Sequence, residues 1–195
     1  GLDEFLRTVE EIRRIFFAEE IEFALAKAEN EMIQNGIVAV GDISNSDFSF
    51  YQKSKGQLKY HTFIEVLGFS PDRAERCFQK GKQLQASIIN HMSSITPHSS
   101  YSASEKLLHL INEHNSYSNE IVSFHNQESE DENLLFEEKR GKIPERLKTW
   151  GTDTDFFHPS EKKPLQYILP RLCNAKKIQI VHNTYTDRED IRWAK

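Results

Sequence analysis

Apolar residues recur at three- and four-residue spacing through "FLRTVEEIRRIFFAEEIEFALAKAENEMIQNG", residues 5–36. That period predicts one long helix or two, stopped by Asn35-Gly36. The pattern then changes. "IVAVGDI" (37–43) is a short, nearly all-apolar, β-branched run, the signature of a buried parallel strand, and "YHTFIEVLGF" (60–69) repeats it. "SPDRAERCFQKGKQLQASIINHM" returns to helical spacing, with Ser70-Pro71 as its start. "SSITPHSSYSASEKLLHLINEHN" predicts a short strand, a turn and a helix, for which Ser102-x-x-Glu105 has the form of a capping box.

"EIVSFHN" predicts another strand, and the acidic run 128–138 a loop leading into a helix whose charged face is solvated. "GKIPERLKTWGTDTDFFHPSEKK" (141–163) has no clear period and is expected to be irregular surface. "PLQYILPRL" predicts a helix despite Pro170. "KIQIVHNTY" (177–185) is the last strand, and "TDREDI" opens a helix with Thr186 as N-cap. About five strands alternate with helices, and no tight hairpin joins any two. Such alternation implies crossover connections and a parallel sheet, open or closed into a barrel.

The 195 residues, 37% of them hydrophobic, suffice for a single domain spanning 1–195. A net charge of -5 gives no electrostatic case for binding nucleic acid or an anionic membrane. No apolar run reaches the length of a membrane span. Cys77 and Cys173 lie far apart and form no CxxC, so free thiols in a reducing cytoplasm are expected. The chain opens inside an amphipathic pattern (Leu2, Phe5, Leu6, Val9, Ile12) and closes on "DREDIRWAK", a helix barely begun. An internal piece of a longer protein is the expectation.

The candidate chemistry sits at strand ends. "ITPHSSYS" supplies His98, "VSFHNQE" supplies His125 and "QIVHNTY" supplies His182. A parallel sheet gathers the carboxyl ends of its strands on one side, so three imidazoles placed there are expected to converge on one rim. Neutral imidazole is a good ligand for zinc or iron, and Glu128, three residues after His125, is a carboxylate able to shuttle protons. His61 falls inside a strand and reads as structural; His91, His109, His114 and His158 fall on helices or loops and read as solvated. Glu65, in "FIEVLG", either points into a barrel toward substrate or is a structural or surface group. A lone strand-end histidine is more often a hydrogen-bonded structural group, so a non-catalytic α/β binding or scaffold module is the alternative reading.

Four phrases, in order, resemble the metal-dependent amidohydrolase superfamily, in the branch of cytosine, guanine, S-adenosylhomocysteine and triazine deaminases and chlorohydrolases. They are "NEMIQNGIVAVGDI", "TPHSSYSASEKLL", "SFHNQESEDEN" and "IVHNTYTDREDI". The resemblance implies an α/β fold, a partial (β/α)8 TIM barrel of about five parallel strands, running from about the family's second strand to its sixth. It implies that His125 is a metal ligand and Glu128 the general acid/base. His182 orients the attacking water, and His98 contacts a small heterocyclic substrate. The implied cofactor is Zn2+ or Fe2+. The implied parent is a hydrolytic deaminase or chlorohydrolase of amino-heterocycles using metal-bound hydroxide, with amide hydrolysis a second possibility on the same scaffold. The strand before His98 carries no Lys, which favours one metal over two. Two departures count. The chain contains no His-x-His, which the family uses on its first strand, and no strand carrying the family's late Asp. Weak or absent metal binding and no turnover are therefore expected of the chain alone. Self-association is also expected, through the strands at 37–43 and 177–183 left as sheet edges.

Overall fold

The computed structural model describes Thr8 and residues 18–149, 151–152, 154–155, 157–158 and 162–195. Leu2, Phe5, Leu6, Val9 and Ile12, at the start of the predicted first helix, lie outside them. Helix α1 spans Ala18–Gln34 and ends at Gly36, whose φ of +80° suits glycine at a helix stop. The strands are β1 (Ala39–Ser44), β2 (Lys59–Val66), β3 (Met92–Pro97), β4 (Ile121–Asn126) and β5 (Lys177–His182). Between them lie α2 (Phe50–Ser54), α3 (Ala74–Ala86), α4 (Glu105–Asn115), α5 (Glu130–Glu138), α6 (Lys142–Thr149) and α7 (Pro164–Ile168), with α8 (Arg188–Trp193) last.

Every strand pair is parallel: β1 with β2, β2 with β3, and β4 with β5. Between β3 and β4 hydroxyls replace a regular ladder. Thr96 Oγ1 accepts the Ser123 N–H at 2.9 Å and donates to the Ser123 carbonyl. Ser94 Oγ donates to the Ile121 carbonyl at 2.6 Å, and His125 N–H reaches the His98 carbonyl at 2.8 Å. The three-stranded and two-stranded sheets thus meet along a polar seam and follow one another in chain order. This is the α/β layout of a partial (β/α)8 barrel.

Strand alternation sorts the side chains. Val66, Ile95, Val122 and Phe124 pack against Phe78 of α3, Leu107, Leu108 and Ile111 of α4, and Ile168. This core fills the space between strands and helices, where burial of apolar area stabilises the fold. Gly81 sits where helix meets strand, and a Cβ there would come within 2.7 Å of Val66. The opposite face carries His61, Glu65, Ser94, Thr96, Ser123 and His125, a polar barrel interior.

Several local expectations are corrected. The run 37–43 was expected to be buried; β1 instead pairs only with β2 among the described residues, and Val38 is 76% exposed. β2 stops at Val66 and β5 at His182, short of the apolar runs that predicted them. The Ser70-Pro71 start opens a 3-10 turn, Pro71–Arg73, before α3. The cap of α4 is Ser104, whose hydroxyl accepts the Leu107 N–H, because the Ser102 hydroxyl is taken by Ser99 N–H. The cap of α8 is Asp187 rather than Thr186, whose hydroxyl donates to Gln127 instead. Helix α6 stands inside the stretch expected to be irregular. Pro170 turns the helix after Ile168 into a 3-10 segment, Leu169–Leu172. The acidic run is not wholly solvated: Glu132 is 1% exposed.

Candidate functional site

His98, His125 and His182 stand side by side at the carboxyl ends of β3, β4 and β5. The His98 and His125 ring centroids are 5.0 Å apart; those of His125 and His182 are 5.4 Å apart, with planes 30° from parallel. His125 arrives by regular alternation on the interior face. His182 does not. It pairs with Asn126, whose neighbours in alternation, Val122 and Phe124, face the helices. Left-handed backbone at His182 (φ +70°) and Asn183 (φ +58°) breaks that alternation, a conformation uncommon outside glycine and often found at functional sites.

Each ring is held by specific partners. His98 Nδ1 lies 2.9 Å from Ser102 Oγ and 3.0 Å from Ser99 Oγ, and Tyr101 packs edge-on at 5.6 Å. Burial, with the neighbouring His125 and His182 adding to it, pushes the His98 pKa down to about 3, so its ring is neutral at physiological pH. His125 Nδ1 lies 2.9 Å from the His98 carbonyl oxygen, which can only accept, so Nδ1 carries the proton and Nε2 presents a lone pair. His182 Nε2 lies 3.7 Å from Glu128 Oε2. Burial also raises the Tyr101 hydroxyl above its ordinary pKa, with Glu132 and Glu128 adding to the shift.

Two carboxylates that the sequence did not single out for this purpose complete the site. Glu65 on β2 is 9% exposed and its Oε1 lies 3.6 Å from His125 Nδ1. Glu65, His98 and His125 each offer a ligand atom, all within 4.8 Å of one another. Two imidazoles and a carboxylate suit zinc or ferrous iron. Glu132 lies behind the site. Its Oε2 accepts the Gln127 N–H at 2.9 Å, and its Oε1 accepts those of Glu128 (2.7 Å) and Ser129 (3.3 Å). The turn that carries Glu128 is therefore folded around a buried carboxylate. Burial pushes its pKa up to about 7 against the pull of those N–H donors. The Ser129-x-x-Glu132 pattern is the readable signal for it, a capping box before an apolar run.

The remaining histidines stand apart. His61 Nε2 lies 2.9 Å from Ser94 Oγ, deeper in the interior. His109 and His158 are exposed, but His91 and His114 are half-buried rather than solvated. His114 Nε2 meets Gln85 Oε1 at 3.1 Å and its ring packs edge-on against Phe78. Cys77 and Cys173 are both free. No helix of the described residues is long and apolar enough to cross a membrane.

No protein-family model matches the chain, and no curated protein matches it by sequence. Solved structures do match in fold. Helicobacter pylori aminofutalosine deaminase in complex with methylthio-coformycin has a TM-score of 0.73 at 20% identity, over 87% of this chain and 42% of its own. A mutant of atrazine chlorohydrolase TrzN from Arthrobacter aurescens TC1, complexed with zinc and atraton, has a TM-score of 0.70 at 12% identity, over 99% and 44%. Guanine deaminase from C. acetobutylicum with bound guanine has a TM-score of 0.68 at 13% identity, over 95% and 43%. The chain spans less than half the length of each. In fold it is therefore a partial barrel like the matching portions of these two deaminases and this chlorohydrolase.

Proposed function

We propose that the chain is the central part of a metal-dependent amidohydrolase whose parent hydrolyses an amino-heterocycle, by deamination or dechlorination. The observation that supports this most is the row of His98, His125 and His182 with Glu128 within reach of the last.

In this reading His125 Nε2 holds the metal, because Nδ1 is already committed to the His98 carbonyl. A ring nitrogen so anchored fixes the tautomer and orientation that a ligand histidine needs. Zinc or ferrous iron fits these donors, and the chemistry such an ion supplies is acidification of water to near-neutral pKa. Attack of water on an amidine-like carbon gives a tetrahedral centre whose amino group leaves only once protonated. Glu128 accepts the proton lost by the water and delivers it to the leaving nitrogen. His182, beside Glu128, orients the attacking oxygen. His98, neutral and walled by Tyr101, offers its remaining ring nitrogen to the heterocycle.

Of the ligands this reading requires, the chain supplies His125, with Glu65 and His98 beside it, and lacks His-x-His, so alone it binds metal weakly and turns nothing over. β1 and β5, each paired on one side among the described residues, give it edges through which copies associate. Two free thiols suit the cytoplasmic setting expected from sequence. The test is a screen of the metal-loaded full-length parent against aminopurines, aminopyrimidines, pterins and chlorotriazines, with Glu128→Gln as control. Turnover that Glu128→Gln abolishes supports the reading; turnover unchanged by it, or none on any substrate, overturns it.

A further inference from the structure

Between His125 and Glu128 stands Gln127, 0% exposed and with left-handed φ of +47°. Its carboxamide has two lone pairs and two N–H groups, and all of them are engaged. Oε1 accepts from Asn126 Nδ2 and from Thr186 Oγ1, each at 2.8 Å. Nε2 faces Asn133 Oδ1 at 3.0 Å, Asp190 Oδ2 at 3.2 Å and the Tyr185 carbonyl at 3.3 Å. Its backbone N–H goes to Glu132, and its carbonyl accepts the Tyr185 N–H at 3.0 Å. One buried amide therefore ties together the turn after β4, helix α5, the loop after β5 and helix α8.

We infer that Gln127 is a positioning residue, which holds the turn bearing Glu128 against the loop bearing His182 so that the pair is preformed. The inference rests on the roles proposed above for Glu128 and His182. Glu128 and His182 belong to different loops, and their separation of 3.7 Å depends on how those loops dock. Asn126 Nδ2 to Asn183 Oδ1 (3.1 Å) and Asn133 Nδ2 to the Tyr185 carbonyl (3.4 Å) also bridge them. Among the described residues, only Gln127 makes side-chain bonds to both the Asn133 and Thr186 sides while its backbone joins Glu132. A leucine at this position fills similar volume and satisfies none of these groups.

The test reads the Glu128–His182 coupling without substrate, in the 195-residue chain. The nitrogen NMR shift of His182 Nε2 is measured at one fixed pH, with and without Glu128→Gln, in wild-type and Gln127→Leu backgrounds. The expected result is a clear change on Glu128→Gln in wild type that shrinks about fivefold or more in Gln127→Leu. His61 ring signals, unchanged throughout, report an intact barrel interior. Amide exchange at Tyr185 should accelerate about tenfold or more, with Val122 and Phe124 unaffected. Coupling that survives Gln127→Leu overturns the inference. If Gln127→Leu does not fold, Thr186→Val, which removes a single bond to Oε1, decides in the same way: weakened coupling supports the positioning role and undiminished coupling overturns it. A parent inactive on every heterocycle would overturn the proposed function and leave this result as measured.

Discussion

His125 meets a single carbonyl oxygen, that of His98, with both its backbone N–H (2.8 Å) and its ring Nδ1 (2.9 Å). Backbone and ring are anchored at one point, so the orientation of Nε2 is set before any ion arrives. In the full-length parent, His125→Ala should therefore remove metal binding more severely than His182→Ala, by about 10-fold or more in affinity. Competition with a coloured chelator measures this. In the 195-residue chain the same titration should show no tight stoichiometric site, and tight binding lost on His125→Ala would overturn the proposed shortage of ligands.

His98 predicts an acid limb in stability. Its folded pKa, about 3, is depressed below the ordinary histidine value of 6.5. The stabilising contribution of the neutral ring is thus fully present above about pH 6.5 and is lost as pH falls toward 3. His98→Asn, which keeps hydrogen-bonding capacity without this titration, should flatten the fall in unfolding midpoint between those limits. Its ring resonances in wild type should stay those of a neutral imidazole well below pH 6, which carbon NMR shifts can follow.

Glu132 acts in the opposite direction. Its pKa is raised from 4.5 to about 7, so the folded chain holds this proton more tightly than the unfolded chain does. Its contribution is fully present below about pH 4.5 and declines as pH rises to about 7, by at most about 3 kcal/mol. Glu132→Gln abolishes that slope but presents an NH2 group to one of the three N–H donors that the two oxygens now accept. A net loss of about 1–3 kcal/mol at low pH is expected, measured by urea denaturation.

The gathering of three histidines was legible because parallel strands put their carboxyl ends on one side, and "SITPH" and "IVSFH" each place a histidine within one residue of a strand's carboxyl end. What escaped reading depends on contacts distant in sequence. Ser102 and Ser104 are equally good caps by pattern, and only the His98 turn, which claims the Ser102 hydroxyl, decides between them. Helix α6 is too short to show a clear apolar period, and its Pro144 falls in the first turn, where its missing N–H costs nothing. The left-handed backbone at His182 and Asn183 has no glycine to announce it. Glu132 and Gln127 looked like parts of a polar run; Gln127 is held against α8 and the loop before it, and Glu132 lies under the turn whose N–H groups it accepts.

The seam between β3 and β4 carries the last prediction. Where neighbouring strands elsewhere exchange backbone bonds, Thr96 Oγ1 serves both the N–H and the carbonyl of Ser123, buried at 2% exposure. Valine has the same shape and no hydroxyl. Thr96→Val would leave the two Ser123 groups without partners away from water, at a cost of about 2–4 kcal/mol. Thr96→Ser keeps the hydroxyl and should stay within about 1 kcal/mol of wild type. Because this seam fixes His98 relative to His125, Thr96→Val should also broaden the ring signals of both histidines while those of His61 remain sharp. A Thr96→Val chain as stable as wild type, with sharp signals, would show that the two sheets are joined by something other than these hydroxyls.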